Sequence, residues 1–288
     1  MRGRHRPLGG DGGPVTGAGT PRRGLKRRLA DGEVLRGALL RMPSETLVEM
    51  AGVAGLDYVV IDCEHGPADT VPLQRHLTAA AAHGVDVLVR VGSDEPALVL
   101  RCLDLGAAGI VHPHVDSRAD ALRAVAASHY PPWGGRGFAT YGRAGRFGTV
   151  SAADHVAASR ETLVVVMVET RRAVEDADAI AATEGVDAVL VGPADLAADC
   201  GFPEPGAVDR LVARAHCAAR AEDRAVMAIV PGVEAGRAAE ARGARLILFN
   251  TAQVLMDTFR ALAAPGTTDT PDAPPDAAGP AGGPRLPS

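Results

Sequence analysis

One pattern repeats eight times between residues 32 and 264, and it limits the possible folds more than any other feature. Each repeat is a short apolar run, a turn, and an Ala/Leu-rich stretch with helical spacing. Runs this short and this apolar predict strands buried on both faces, and a helix crossing from one strand to the next makes neighbouring strands parallel. The predicted strands are 36–40, 57–62, 86–91, 109–112, 163–169, 187–191, 225–230 and 245–250.

Helices are predicted in the stretches between and after these strands. They cover 44–54, 71–83, 95–105, 118–128, 171–183, 208–222, 233–242 and 251–263. Eight strand–helix units in about 230 residues match the size of a closed (β/α)8 TIM barrel, an α/β fold. In that fold the chemistry lies on the loops that follow the strands, so functional residues are sought there.

The composition predicts one domain with a tail at each end. The chain has 288 residues, and 47% of them are hydrophobic, which is enough for a large core. Residues 1–31 are rich in Gly, Pro and Arg, and 265–288 are rich in Pro, Gly and Ala without periodicity. Both ends have too few apolar residues to offset the entropy of ordering. We therefore expect a disordered basic tail, a barrel over 32–264, and a second disordered tail.

Charge and cysteine content narrow the class of protein. A net charge of −5 gives no general attraction to nucleic acid, although the basic tail could contact it; a solvated tail is the plainer reading. The four cysteines have no paired spacing, which favours a reducing cytoplasm over a disulfide framework or a zinc motif. No apolar run approaches the roughly 20 residues that a membrane span requires.

Two acids follow neighbouring predicted strands. Glu169 ends the run LVVVMVE, and Asp195 lies in Gly-Pro-Ala-Asp after the next strand. Parallel strands place both carboxylates at the same end of the sheet, where they could hold a cation that prefers oxygen ligands. The alternative is that Asp195 caps a helix and Glu169 lies on the surface.

Further ionisable residues follow the second and third strands. Asp62, Glu64 and His65 are costly at the end of a buried strand unless each has a partner, and His65 is suited to proton transfer near neutral pH. Alternatively, Asp62 caps the next turn and His65 is merely exposed. Arg90 could meet a carboxylate or an enolate oxygen. It could also pair with Asp104; the other role open to Asp104 is to orient His65.

The fourth strand and the segment after its helix give weaker signals. His112 and His114 are two residues apart, which places them on one side of an extended backbone as metal ligands or plain hydrogen-bonding groups. Residues 130–149 interleave glycines with three arginines. This segment either covers the barrel mouth and binds a substrate with carboxylates, or is a solvated loop.

Lysine is almost absent. Lys26, in the basic segment, is the only lysine of the chain. A Schiff-base or pyridoxal-phosphate enzyme requires a lysine amine in its core, so both classes are excluded. Carbonyl chemistry in this barrel would then use a metal ion as the electron sink.

Several motifs together resemble those of one family. The segments are IDCEHGP, VLVRVGSDEP, LDLGAAGIVHPHVDS, YPPWGGRG, VMVETRRAVED and GVDAVLVGPADLAADCG. Over residues 32–264 the chain resembles the metal-dependent pyruvate aldolases of the HpcH/HpaI family, which include 4-hydroxy-2-oxoheptanedioate aldolase and 2-dehydro-3-deoxyglucarate aldolase. Citrate-lyase-type CoA-ester lyases are more distant relatives.

The resemblance implies a metal site and a substrate site. Glu169 and Asp195 match the two ligands of an Mg²⁺, Mn²⁺ or Co²⁺ ion. The backbone around Gly192, Pro193 and Ala194 matches the segment that receives the carboxylate of pyruvate. The metal and a 2-oxo acid would meet at this point of the barrel mouth.

The resemblance also implies roles for four further residues. Arg90 matches the arginine that stabilises the enolate, and His65 matches the acid/base residue. Asp62 and Asp104 match acids associated with the histidine and its water. Two departures bear on the substrate: Met167 replaces a glutamine, and no tryptophan occurs near Leu39.

The expected activity is that of a carbon–carbon lyase. A divalent-metal-dependent aldolase would reversibly cleave a 4-hydroxy-2-oxo acid to pyruvate, or a related 2-oxo acid, and an aldehyde through a metal-stabilised enolate. The alternatives are a CoA-ester lyase of the citrate lyase beta type, an oxaloacetate-type decarboxylase, and a nucleic-acid contact through the basic tail. The resemblance further implies a homohexamer whose subunits exchange the last helix, 251–263.

Overall fold

The eight predicted strands form a closed parallel barrel in chain order, which confirms the (β/α)8 fold. The computed structural model describes residues 23–67, 70–204 and 206–264. Each observed strand begins and ends within one residue of its predicted bounds. The strands are β1 (Leu35–Leu40), β2 (Tyr58–Asp62), β3 (Asp86–Arg90), β4 (Gly109–His112), β5 (Leu163–Val168), β6 (Ala188–Val191), β7 (Ala225–Val230) and β8 (Leu246–Asn250).

The helices follow the prediction with one break and three additions. They are α1 (Leu25–Ala30), α2 (Glu45–Val53), α3 (Thr70–His83), α4 (Pro96–Asp104), α5 (Arg118–Ser128), α6 (Ala152–Ser159), α7 (Arg171–Glu175), α8 (Ala177–Ala181), α9 (Pro193–Asp199), α10 (Ala207–Ala221), α11 (Val233–Ala241) and α12 (Thr251–Ala263). The helix predicted over 171–183 is broken at Asp176, which lies between α7 and α8. Helices α1, α6 and α9 were not predicted. Among the described residues, no helix has the length and apolar character that crossing a bilayer demands.

The barrel interior is packed with apolar side chains. Leu35, Leu88 and Met227 are among those that have essentially no exposed surface. Tyr58 also lies inside the barrel, and a Cβ on Gly37 of the neighbouring strand would lie only 2.4 Å from its ring. The interior is therefore filled up to the backbone of β1, and Gly37 is required for close packing rather than for backbone freedom.

Helix α1 corrects the predicted extent of the N-terminal tail. Leu25 and Leu29 are buried in the same apolar cluster as the barrel interior, so α1 closes the end of the barrel where the strands begin. Its basic side chains meet acids of that end: Lys26 Nζ lies 2.9 Å from Asp187 Oδ1. The prediction was wrong here because it rested on the basic residues of this stretch. Leu25 and Leu29, which lie on either side of them, give the helix an apolar side that packs on the barrel. Residues 1–22 and 265–288, predicted to be disordered, lie outside the described residues.

The segment 130–149 does not lie where the sequence suggested. It follows the end of α5 and precedes β5, and loops of that type lie at the N-terminal end of a parallel barrel, away from the mouth. Its arginines bind neighbouring elements at that end: Arg136 Nη2 donates to Asp104 Oδ1 at 2.5 Å, and Arg143 Nη1 donates to Thr78 at 2.7 Å. The expectation that this segment covers the mouth was therefore wrong.

Candidate active site

A buried ion pair joins the ends of β2 and β3. Asp62 Oδ1 accepts a hydrogen bond from Arg90 Nε at 2.9 Å, and Oδ2 accepts one from Arg90 Nη2. Arg41, directly after β1, adds a bond from its Nε to Oδ2 at 2.9 Å. Burial alone would raise the pKa of Asp62, but the bonds from Arg90 and Arg41 and the amide of His65 hold that pKa below its ordinary value. Asp62 is therefore ionised at neutral pH.

Arg90 remains a cation for the same reason. Burial opposes its charge, yet the hydrogen bonds and the charge of Asp62 raise the pKa of the guanidinium, with further contributions from Glu64 and Glu169. Its Nη1 lies 3.2 Å from Glu64 Oε2 without the alignment of a hydrogen bond. Two nitrogen atoms of the guanidinium group, Nε and Nη2, are thus fixed by Asp62. The third, Nη1, is directed at the other acids of the site.

Glu169 follows β5 directly and is held by backbone. It is only 2% exposed, and its Oε1 accepts a hydrogen bond from the amide of His114 at 2.6 Å. Its Oε2 faces the end of β6, since a Cβ on Gly192 would lie 2.8 Å from this atom. Burial raises the pKa of Glu169, and the charges of Asp195 and Glu64 add to that rise, whereas the His114 amide opposes it.

Asp195 lies in the first turn of α9, directly after β6. The N-cap of this helix is Gly192, so the alternative in which Asp195 serves as N-cap is wrong. The amide of Gly192 donates to Val168 O at 3.2 Å, and Pro193 has no amide hydrogen. Of the three residues expected to receive a carboxylate, Ala194 alone keeps an amide that the helix leaves without an internal partner.

The two acids fit a divalent cation. Among residues 23–67, 70–204 and 206–264, no three His, Cys, Asp or Glu side chains converge as a metal-binding group. Glu169 and Asp195 would therefore supply two carboxylates. Magnesium-like ions are commonly bound by one or two carboxylates and complete their coordination with water and substrate oxygens. A cation at this point would also relieve the electrostatic repulsion that the structure shows between Asp195 and Glu169.

His65 lies at the mouth with its ring accessible. Its amide donates to Asp62 Oδ1 at 3.2 Å, and its side chain is 54% exposed. The ring Nε2 lies 3.9 Å from Glu64 Oε2, which is beyond hydrogen-bond distance. Asp62 thus positions the backbone of His65 rather than its imidazole: it caps the turn after β2, and it also has the partner that a buried carboxylate requires, Arg90.

Asp104 is not brought to this site within the chain. It is the last residue of α4, at the opposite end of the barrel, and it pairs with Arg136. The expectations that Asp104 pairs with Arg90 or orients His65 are therefore wrong for residues of one chain. Asp104 precedes β4 in the chain, so it lies near the N-terminal end of that strand. The active site lies at the other end of the barrel, where the strands finish.

The two histidines of the fourth strand point in different directions. His112 is buried, and its Nε2 lies 3.0 Å from the Ser128 hydroxyl of α5. That hydroxyl donates to Ala124 O, so His112 is the donor to it. Burial lowers the pKa of His112 to about 4. His114 turns instead toward the carboxylates, because its backbone has a φ of 51°. The prediction that both rings share one side of an extended strand was wrong.

For three residues of the site the sequence named no partner. Arg41, Glu64 and His114 each directly follow a strand or lie two residues beyond one, at the end where the other site residues lie. That position was a usable signal for Arg41 and Glu64. For His114 it was insufficient, because only a few per cent of non-glycine residues adopt the left-handed backbone that directs this ring into the site, and the local sequence does not show which of them do.

A cavity of about 970 Å³ opens beside His114. It extends between α4 and α5, and its lining includes Ser93, Glu95, Arg123 and Arg172. A molecule held at Glu169 could extend into this space. Its lining offers hydroxyl, carboxylate and guanidinium groups together with apolar side chains such as Val99 and Leu100, so it suits an extension with both polar and apolar parts.

The barrel is closed, and acids cluster after the carboxyl ends of β2, β5 and β6. Together these features define an enzyme of the TIM-barrel class, whose active site lies at the end of the barrel where the strands finish. The sequence model described as HpcH/HpaI aldolase/citrate lyase matches residues 39–247. The chain belongs to this family, and the activity of the family's aldolases makes it a carbon–carbon lyase.

Individual relatives agree with this assignment. A pyruvate aldolase of Rhizobium etli is 40% identical over 183 residues, which are 63% of this chain and 72% of that protein. A 5-keto-4-deoxy-D-glucarate aldolase of Salmonella newport is 40% identical over 62% of this chain and 69% of its own length. The crystal structure of a family member from Burkholderia cenocepacia J2315 has 36% identity and a TM-score of 0.77, covering 83% of this chain and 96% of that one.

Proposed function

We propose that the chain is a divalent-metal-dependent aldolase that cleaves a 4-hydroxy-2-oxo acid to pyruvate, or a close relative, and an aldehyde. The observation that carries this is the buried, backbone-held Glu169 beside Asp195, with the Asp62–Arg90 pair on neighbouring strands. When bound between the two acids, Mg²⁺, Mn²⁺ or Co²⁺ supplies Lewis acidity toward the keto oxygen of the 2-oxo acid.

The remaining steps use side chains of this chain. The exposed imidazole of His65 removes the proton of the C4 hydroxyl during cleavage and returns it during synthesis. Arg90 offsets negative charge on the reacting oxygens, and Asp62 holds its fork in place. The Ala194 amide, at the start of α9, receives the carboxylate of the 2-oxo acid.

Met167 bears on which 2-oxo acid is used. It is buried, its sulfur lies 3.9 Å from Arg90 Nη1, and its methyl group would lie 3.4 Å from a Cβ on Gly192. It therefore lies between the arginine and the proposed carboxylate site. A thioether here offers no strong hydrogen bond to the keto acid, which leaves Arg90 and the Ala194 amide to orient it.

The assembly and location follow as further proposals. Helix α12 has Val254, Met256, Phe259 and Leu262 exposed in the single chain, which supports the exchange of this helix within a homohexamer. The four cysteines are free, which supports a reducing cytoplasm.

Proton–deuterium exchange at the pyruvate methyl group, followed by NMR, tests the proposal without knowledge of the aldehyde. With chelator-stripped protein, exchange is expected only after Mn²⁺ or Mg²⁺ is added. Glu169→Gln and Asp195→Asn should abolish it, because each removes a carboxylate from the cation site. Asp199→Asn, at the other end of α9, is the matched control and should exchange as wild type does. Full exchange in either site variant would refute the assignment.

A further inference from the structure

His114 occupies an unusual position between two acids of the mouth. Its ring Nδ1 lies 3.2 Å from Glu169 Oε1, and its Nε2 lies 3.4 Å from Glu64 Oε1. Its amide donates to the same Glu169 oxygen at 2.6 Å. One residue therefore contacts Glu169 Oε1 twice, through the backbone and through the ring.

These contacts divide the two oxygens of Glu169 between two tasks. Oε1 is taken by His114, whereas Oε2 faces Gly192 and the start of the helix that carries Asp195. The carboxylate cannot rotate about its last bond without giving up the amide hydrogen bond. Gly192 also leaves no space for a side chain on the other side, so the orientation is fixed from both directions.

The backbone of His114 is held in a conformation that histidine rarely adopts. A φ of 51° lies in the left-handed region, which costs a non-glycine residue about 1 kcal/mol or more. An extended backbone would direct the ring and the amide elsewhere. The strain is maintained together with the contacts to Glu169 and Glu64, and side chains kept in such conformations cluster at functional sites.

Glu64 connects His114 to the other half of the site. Its Oε2 lies 3.2 Å from Arg90 Nη1, so contacts run from Asp62 through Arg90, Glu64 and His114 to Glu169. This series crosses the ends of β2, β3, β4 and β5, which are consecutive in the barrel. The imidazole is the one link that separates the carboxylates of Glu64 and Glu169.

From this geometry we propose that His114 is a positioning residue, which fixes Glu169 so that Oε2 faces the cation proposed to bind with Asp195. The inference rests on the proposed metal site, and it adds His114 as a residue that orients one of the metal ligands. The imidazole takes part in no bond making or breaking. Residues that orient a metal ligand in this way typically change metal affinity 10- to 100-fold when replaced.

Manganese binding to chelator-stripped protein, measured by the EPR signal of free Mn²⁺, tests the proposal independently of turnover. His114→Asn removes the ring but keeps the amide, and asparagine tolerates a positive φ better than most residues other than glycine. Because the amide bond to Glu169 persists, the Kd for Mn²⁺ should rise about tenfold, at the low end of that range. His83→Asn, which removes an imidazole 3.8 Å from Glu49 and remote from the mouth, should leave the Kd unchanged.

The outcomes separate this inference from the function on which it rests. If Glu169→Gln abolishes Mn²⁺ binding while His114→Asn keeps the wild-type Kd within twofold, the positioning role is refuted and the metal site stands. If wild type binds no Mn²⁺, the metal site and the inference both fail. If the asparagine variant folds poorly, His114→Gly tests the same prediction in the same Mn²⁺ titration. Glycine also keeps the amide and accepts the positive φ.

Discussion

Replacing Asp62 by asparagine should be among the most destabilising isosteric changes in this protein. Asp62 Oδ1 accepts bonds from Arg90 Nε and from the amides of Glu64 and His65, and Oδ2 accepts bonds from Arg90 and Arg41. Asparagine keeps one oxygen, so its NH₂ group must face two guanidinium donors in place of Oδ2. Two charge-assisted bonds are lost at about 1.5–3 kcal/mol each, so the free energy of unfolding should fall by about 3–6 kcal/mol, which overlaps the range of about 3–5 kcal/mol typical of a broken buried ion pair.

Urea unfolding followed by far-UV circular dichroism at fixed protein concentration measures this loss. Asp178→Asn is the control, because the Asp178–Arg214 pair is exposed and its loss should cost no more than about 1 kcal/mol. A loss for Asp62→Asn as small as that of the control would refute the reasoning.

The difference between wild type and Asp62→Asn should also depend on pH. The folded pKa of Asp62 is lowered from an ordinary value of 3.8, so the ionised carboxylate stabilises the folded state. That stabilisation is complete well above 3.8 and is lost as the pH falls below 3.8 toward the lowered folded pKa. The two proteins should therefore converge in stability in acid, and a difference that is constant down to pH 3 would contradict the assignment of the charge.

Two further predictions concern the packing and the acid stability of the barrel. Gly37→Ala should lower the free energy of unfolding by about 3 kcal/mol, because its Cβ would lie 2.4 Å from the Tyr58 ring. Gly135→Ala, which has open space at that position, should change it by about 0.5 kcal/mol or less in the same urea titration, and equal effects would contradict the packing argument. Burial, with Lys26 and Arg136 nearby, lowers the pKa of His129 to about 4, so its protonation favours the unfolded chain and stability falls between about pH 6.5 and 4. His129→Phe should reduce that fall by as much as about 3 kcal/mol, and an unchanged acid profile would count against it.

The barrel could be predicted from the sequence because its strands are buried on both faces. Such strands are short continuous apolar runs, and the eight runs were located to within one residue. The predicted helix starts lie within one residue of the observed ones, and two of them are fixed by Ser44 and Ser117, whose side chains accept hydrogen bonds from amides of the first turn. The break at Asp176 could not be predicted, because the residues on both sides of it have helical composition.

The site was predictable to the level of which strand ends bear charge. Glu169, Asp195, Asp62, His65 and Arg90 all lie at the mouth, since each ends a strand or follows one within four residues. The sequence did not predict which of these side chains pair with each other. The pairing of Arg90 with Asp62, for example, depends on how far each side chain extends toward the neighbouring strand.

Two errors had a common physical origin. The side on which Asp104 and the segment 130–149 lie depends on whether they precede or follow a strand, and only residues that follow one reach the mouth. The orientation of His114 is a different case. It depends on a backbone conformation that local propensity disfavours and that tertiary contacts maintain.

The docking of α1 has a practical consequence for chemical modification. Lys26 is the only side-chain amine of the chain, and it is held at the closed end of the barrel against Asp187. An amine-directed reagent therefore has one lysine to report on, and its rate at that position depends on the ion pair with Asp187 and on the partial burial that the docking of α1 gives the side chain. A change in the labelling rate of this lysine would report a change in the docking of α1 at the closed end, without any engineered probe.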